Sequence, residues 1–196
     1  MMTTPSLGWQ RPFVIAALAC AAGVSPPVAA EQRLVPAQSE IAFTSRQMGV
    51  SVQGRFRIFE AQIVFDPQQP EAGRIALRVD LASAAIGTAE TEAELAKPGW
   101  FDTRRYPQAT FTSATVRPAG PGRFEVIGKL TLKGSSRDLV VPVALQRAGE
   151  LTLASGSFPI RRLDFRIGDG DWSDPSLVAD EVLVRFKLAL TGVAGP

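Results

Sequence analysis

Four stretches of this chain alternate apolar and polar side chains with a period of two, and this pattern constrains the fold more tightly than any other feature. Ile75, Leu77, Val79 and Leu81 alternate with Arg74, Arg78 and Asp80. Phe124, Val126, Leu130 and Leu132 stand against Arg123, Glu125, Lys129 and Lys133. Leu139, Val141, Val143 and Leu145 repeat the spacing, and Val182, Val184, Phe186, Leu188 and Leu190 repeat it opposite Arg185 and Lys187. Successive side chains of an extended strand point to opposite faces, so each stretch predicts a strand with one face in a core.

Weaker runs at about 39–47, 51–66, 108–117 and 150–162 bring the expected count to eight strands. They are separated by turn signals such as Ala119-Gly120-Pro121-Gly122, Gly134-Ser135 and Ala148-Gly149. Phe56 and Phe59 lie three apart, which breaks the alternation and predicts a bulge or sharp bend there. Gly156 and Pro159 mark similar irregularity in the 150–162 run. Long strands that bend in the middle suit a closed barrel or a strongly coiled sheet.

Two segments depart from the pattern. Thr88 to Lys97 carries acids early and a lysine late and is followed by Pro98-Gly99, so it predicts a short helix matched to its own dipole. In the polar connection 163–180, Asp174 is placed to cap a helical turn that begins at Pro175. The expected architecture is all-β, an extended eight-stranded antiparallel barrel with a short helix in a long connection. Neither an internal repeat nor a linker interrupts it.

Residues 1–30 read as a secretory signal peptide. Arg11 precedes an apolar run from Pro12 to Val24, and Val28-Ala29-Ala30 suits cleavage after Ala30. That run falls short of a membrane span, and no later segment stays apolar for the ~20 residues that a spanning helix needs. The expected product is an exported domain, residues 31–196, that is not itself transmembrane. Cys20, the chain's single cysteine, lies in the removed segment; Ala17-Leu18-Ala19 before it matches a lipoprotein cleavage box only loosely.

The chain has no histidine. Imidazole catalysis, Ser-His-Asp triads and the usual His/Cys zinc sites therefore cannot be built. A net charge of +2 is too balanced to favour nucleic acid as a partner. The acids Asp169, Asp171 and Asp174 have a spacing that oxygen-ligated calcium could use, but lack the glycine placement and terminal Glu of an EF-hand loop. As catalytic carboxylates they have no nucleophile or oxyanion site beside them in the sequence. No cofactor, metal site or catalytic residue is expected.

An eight-stranded barrel either fills its interior with side chains or leaves room for one small ligand, and the residue pattern leaves both open. The long connections add Trp100, Phe101, Phe165 and Trp172 to the apolar interior. Arginines outnumber lysines 17 to 4, and several fall near strand ends or in long connections. Solvated strand faces account for most of them, while a few could clamp a polar head group at a barrel mouth.

Several segments in order carry a resemblance. They are Phe43-Thr-Ser-Arg-Gln-Met-Gly49, Gly54-Arg-Phe56 with Phe59 and Phe65-Asp66-Pro67, and Gly99-Trp-Phe101-Asp102 with Tyr106-Pro107-Gln-Ala-Thr-Phe111. Gly128-Lys-Leu-Thr-Leu-Lys-Gly134, Val140-Val-Pro142-Val143 and Arg162-Leu-Asp164-Phe165 continue it. Together they resemble the YceI-like family across about residues 32–192. The resemblance implies a lipocalin-like barrel, usually periplasmic, that binds a long isoprenoid or similar amphiphilic lipid and is a carrier more than an enzyme. Some family members occur beside membrane cytochromes of the b type, which makes such a cytochrome a candidate partner. Many relatives carry a histidine where this chain has Gln47, and others in the region of Glu92 to Lys97, so any role of those histidines is absent here.

The expected function is thus periplasmic binding of an isoprenoid or other amphiphilic lipid. The alternatives are an interaction partner of a b-type cytochrome system and a carboxylate-dependent enzyme acting on a lipophilic substrate. From the alternation, the ligand tail is expected to meet Phe43, Phe56, Leu77, Val79 and Phe111, together with Leu130, Val141, Val143, Val184 and Phe186. The mouth is expected at Trp100, Phe101, Phe165 and Trp172, with Arg46, Arg104 or Arg162 meeting the head group. An error of one residue in register would invert any of these sets.

Overall fold

The computed structural model describes residues 31–195; the expected signal peptide, with Cys20, lies outside them. The chain forms one antiparallel sheet that curls around an apolar interior. Its strands are β1 (Arg33–Leu34), β2 (Glu40–Gln47), β3 (Val50–Phe56), β4 (Phe59–Val64), β5 (Arg74–Asp80) and β6 (Ala84–Ala85). After a helix come β7 (Gln108–Pro118), β8 (Arg123–Leu132), β9 (Ser135–Ala148), β10 (Leu151–Arg161) and β11 (Glu181–Thr191). Spatial order runs β4-β5-β7-β8-β9-β10-β11-β2-β3-β6, and β1 adds to the side of β11.

Among the described residues, eleven strands are present where eight were expected. The eight long runs all exist, but the run at 51–66 is divided, and β1 and β6 are two-residue strands without a visible alternation. The division falls between Phe56 and Phe59, where the broken spacing predicts a bend. Arg57 N donates to Ser83 O, Ile58 N to Ser83 Oγ, and Asp80 N to Ile58 O, so the bent backbone remains hydrogen-bonded.

That bend decides the architecture. β3 pairs with β2 and β4 pairs with β5, so a single kinked segment carries the sheet from one edge to the other. The ladder itself is not continuous around the circumference, so of a closed barrel and a strongly coiled sheet the chain forms an incompletely closed barrel. Gln32 ties the seam: its Nε2 donates to Phe65 O at 2.8 Å and its Oε1 accepts from Phe65 N at 2.7 Å, as a paired strand residue would.

Three further details set the inward face. Lys133 and Gly134 both have positive φ, 47° and 73°, and Leu132 pairs with Ser135 across them. This two-residue hairpin lets β9 start at Ser135, four residues before its apolar alternation begins. Between Ser113 and Thr115 the register of β7 shifts, so inward Ala109 and Phe111 are followed by inward Val116 rather than by an odd-numbered residue. The predicted helix is α1 (Ala89–Leu95), and the Thr88 side chain accepts from Thr91 N as its cap.

Candidate functional site

Inward side chains of the long strands surround a cavity of about 520 Å³. Residues 41, 43, 45 and 47 of β2 face it, as do 75, 77 and 79 of β5 and 182 to 190 of β11 at every second position. The size lies in the range of about 300–1,000 Å³ found for small-molecule sites. Leu77, Phe111, Leu130, Val143, Val184 and Phe186 point inward and yet are only half-buried, because they face open space rather than other atoms.

The cavity stays open through a device at three glycines. Phe43 pairs with Gly54 and Phe186 with Gly156, while Phe111 lies diagonally across from Gly128. A Cβ on Gly54 would lie 2.3 Å from Phe43 Cζ, and on Gly156 or Gly128 it would lie 2.7 Å from the Cζ of Phe186 or Phe111. Each ring folds back over the bare backbone of its neighbour and lies along the wall. With a side chain in place of hydrogen, the rings would be displaced.

The two ends of the cavity differ. At one, Phe65 meets Phe124 edge-on at 5.1 Å, and Val116, Leu145, Leu190 and Val193 are buried around them. At the other stand α1 and the connection after β10. There Phe56 lies 5.4 Å from Phe43 and 6.1 Å from Phe101, and Trp100 lies 6.0 Å from Trp172. The polar lining residues, Ser45, Gln47, Thr91, Glu94 and Arg162, all belong to this second end, beside the two tryptophans. The connection is held close to β2 there, since Gln47 bridges to Val178 and Ala179 N donates to Arg46 O.

Arg162 organises this end. It is 2% exposed, and all five of its donors are taken by main-chain carbonyls. Nε reaches Ala179 O, one terminal nitrogen reaches Ile167 O and Gly168 O, and the other reaches Trp172 O and Val178 O, at 2.6 to 3.1 Å. Burial pulls its pKa below the usual arginine range, and the nearby Asp180 carboxylate opposes that. Asp180 in turn accepts from Leu163 N at 3.0 Å and from Arg161 Nε at 2.8 Å. Partial burial works against its ionisation, but these bonds and the two arginines outweigh it and leave its pKa below the ordinary value.

Of the residues expected to meet a ligand tail, Phe43, Phe56, Leu77, Val79, Phe111, Leu130, Val141, Val143, Val184 and Phe186 all line the cavity. So do Trp100, Phe101 and Trp172, expected at the mouth. Phe165 does not: it is 2% exposed and packs outside the lining, with the Arg137 guanidinium 5.9 Å from its ring centre. The three head-group arginines also require correction. Arg46 is exposed and out of phase with inward Ser45 and Gln47, Arg104 is exposed and away from the lining, and Arg162 has no donor left to offer.

Ser45 and Gln47 were not among the expected site residues, although they continue the phase of Ile41 and Phe43 along β2. Strand glycines in phase with inward positions were the corresponding signal for Gly54 and Gly156. Of Asp169, Asp171 and Asp174 in the connection after β10, two have partners within the protein. Asp169 lies 3.7 Å from Lys133 Nζ, and Asp174 accepts from Ser176 N at 2.8 Å in the turn that begins at Pro175. Among the described residues, no three His, Cys, Asp or Glu side chains group so as to hold a metal ion, and no helix is long and apolar enough to cross a membrane.

The fold has counterparts among known proteins. BcnA of Burkholderia cenocepacia superposes with a TM-score of 0.77 at 39% identity, over 80% of this chain and 98% of that one. A polyisoprenoid binding domain from Saccharophagus degradans, implicated in plant cell wall breakdown, gives a TM-score of 0.67 over 85% of this chain and 99% of that one. At 20% identity, that second likeness speaks for the fold. UPF0312 proteins of Photorhabdus laumondii and Vibrio cholerae are each 31% identical to this chain, over 56% and 58% of its length. The matched parts make up 57% and 61% of those relatives, less than two thirds of either. A family model described as the YceI-like domain matches residues 33–190, four-fifths of the sequence, and the chain belongs to the YceI-like family.

Proposed function

We propose that this protein is an exported binding protein that holds one long-chain amphiphilic lipid, of the isoprenoid class, in the interior of its barrel. The observation that carries the reading is the distribution of polarity along the cavity. Polar side chains gather at one end, and every lining residue beyond them toward the Phe65–Phe124 end is apolar. An amphiphile fits such a space in one direction, with its tail toward the filled end. Each methylene transferred from water contributes about 0.8 kcal/mol, so a tail of a few isoprene units outweighs the ordering costs of binding. The Saccharophagus degradans domain, with the same fold, is described as polyisoprenoid binding.

The reading assigns the protein no catalytic residue; it holds and releases its ligand unchanged. Export to the periplasm rests on the charged and apolar pattern of residues 1–30 and on the family resemblance. The test is to purify the protein from its own host, extract it with organic solvent and weigh the extract by mass spectrometry. One isoprenoid lipid per protein is the expected result. An empty protein that also fails to take up added long-chain lipid would overturn the reading. Cell fractionation with N-terminal sequencing checks the compartment, with a start at Glu31 in the periplasmic fraction as the expected outcome.

A further inference from the structure

The cavity reaches the protein surface at its polar end, where Gln47, Thr91 and Trp172 line it and are also exposed. Large apolar side chains stand around that opening. Met48 and Val50 are 72% and 67% exposed, and Trp172 and Leu177 are 37% and 39% exposed. They come from two segments that are held together. Met48 N donates to Leu177 O at 2.8 Å, and the carbonyls of Trp172 and Val178 share one terminal nitrogen of Arg162. Apolar side chains gathered at the rim of an opening mark a contact surface, unlike ones scattered singly.

The hairpin tip departs from what its own turn favours. Met48 and Gly49 both have positive φ, 47° and 80°, and Gln47 pairs with Val50 across them. A two-residue turn of this kind favours Asn at its first position, where a left-handed backbone costs least. Methionine is strained there, and its exposure gives it no core to fill. A side chain kept in that position against backbone preference points to a contact outside the fold.

Below the hairpin, the outward face of β11, β2 and β3 is cationic. Its ionisable residues are Arg46, Arg55, Arg185 and Lys187, against Glu40 and Glu181. Among the described residues none of those four cations is in an ion pair. Arg55 and Arg185 flank Ala42 in register and border a shallow groove of about 580 Å³. Leu183, also exposed, lies one row nearer the hairpin, opposite Thr44. Asp171 and Asp174 belong to the connection after β10, so the attraction for an anion lies on the strand face.

We infer that the β2–β3 hairpin and the outward face of β11, β2 and β3 dock the protein on a bilayer that carries anionic phospholipid. Met48, Val50 and Leu177 enter the headgroup layer, and the unpaired cations meet its phosphates. A bilayer accepts both parts of this surface at once, since its interface takes apolar side chains and tryptophan while its negative surface holds arginine and lysine. The inference rests on the lipid-binding reading for its cargo and deepens it, because docking sets the mouth of the cavity against the layer from which a lipid comes.

The test is flotation of the delipidated protein with vesicles of phosphatidylcholine, alone or mixed with phosphatidylglycerol. Binding to the mixed vesicles is expected to be at least about tenfold tighter and to weaken as salt is raised. Met48→Asn suits the turn, so its urea midpoint should hold or rise while vesicle binding falls about fivefold or more. Arg55→Gln combined with Arg185→Gln should cost about tenfold on mixed vesicles and nothing on phosphatidylcholine alone. A protein that stays off the mixed vesicles, binds both compositions equally, or keeps its affinity in either variant would overturn the inference. Uptake of dispersed geranylgeraniol, counted by native mass spectrometry, separates the two readings. Uptake without docking sinks the docking surface alone, and docking without uptake sinks the lipid reading alone.

Discussion

Strand β11 passes through both ends of the barrel, and its burial changes along the way. Val182, Val184 and Phe186 face inward and remain half-buried; Leu188 and Leu190, in the same phase, are buried at 9% and 4% exposure. The residue types and alternation are alike. What differs is the opposite wall. Near Leu190 the interior is filled by Phe65, Phe124, Val116 and Val193, whereas near Phe186 the rings lie along the wall over glycine and leave the centre empty. One strand therefore contributes to a packed core at one end and to a binding cavity at the other. An apolar inward face is a requirement of both, and packing across the barrel decides which it becomes.

The sharpest way to break this comparison is at Arg162. Replacing it by Ala would leave five carbonyls without their donor and release the 163–180 connection from the open end. A loss on the order of 3–5 kcal/mol is expected, read from the urea midpoint, together with loss of bound lipid. If the variant kept its stability, Arg162 would not be the anchor of that end.

Phe124→Ala and Phe158→Ala test the contrast directly, one at each end. At the filled end the cost should be about 3–5 kcal/mol, as for a buried aromatic. Phe158 lines the cavity and is half-buried, so about 1–2 kcal/mol is expected in the delipidated protein, with a larger effect on lipid uptake. Equal losses at the two positions would mean that the open end is as tightly packed as the other.

Gly54→Ala probes the wall. The new methyl group would sit against the Phe43 ring, which has to swing toward the lumen. A destabilisation of about 1–3 kcal/mol is expected, with reduced lipid stoichiometry in the extracted protein. Unchanged stoichiometry would show that the ring has another way out.

The smallest effect concerns Asp180. Its folded pKa lies below the ordinary value, so its contribution to stability is complete above the unfolded pKa of about 3.9 and is lost as pH falls through the folded value. Asp180→Asn should lower stability by about 1 kcal/mol at pH 6, and the gap should narrow below about pH 4. Denaturation curves across that range check it. A gap that persisted at pH 2 would show that the carboxylate charge is not the cause.

Much of this was legible before the structure. The phases of β5, β8 and β11 placed Leu77, Val79, Leu130, Val184 and Phe186 on the cavity wall, because one-sided burial leaves an alternation that can be read directly. The spacing of Phe56 and Phe59 located the kink on which closure depends. Other features were hidden for identifiable reasons. The bulge at Ser113 and Thr115 leaves little trace among polar residues that all tolerate a strand. The first residues of β9, Ser135 to Asp138, are polar on both faces and carry no alternation. Arg162 was read as a rim residue, since arginine is ordinarily exposed and nothing local reveals that five distant carbonyls converge on it.

The sequence by itself determined an antiparallel all-β chain with a short helix between strands, and which face of most strands is apolar, because side-chain direction follows from backbone period alone. Whether that apolar interior is filled or open, which end is polar, and that the donors of Arg162 are all taken by main-chain carbonyls were decided only in the tertiary structure. Those properties depend on what meets across the barrel, on rings lying over glycines from neighbouring strands and on carbonyls brought together from a long connection. No local period records such meetings.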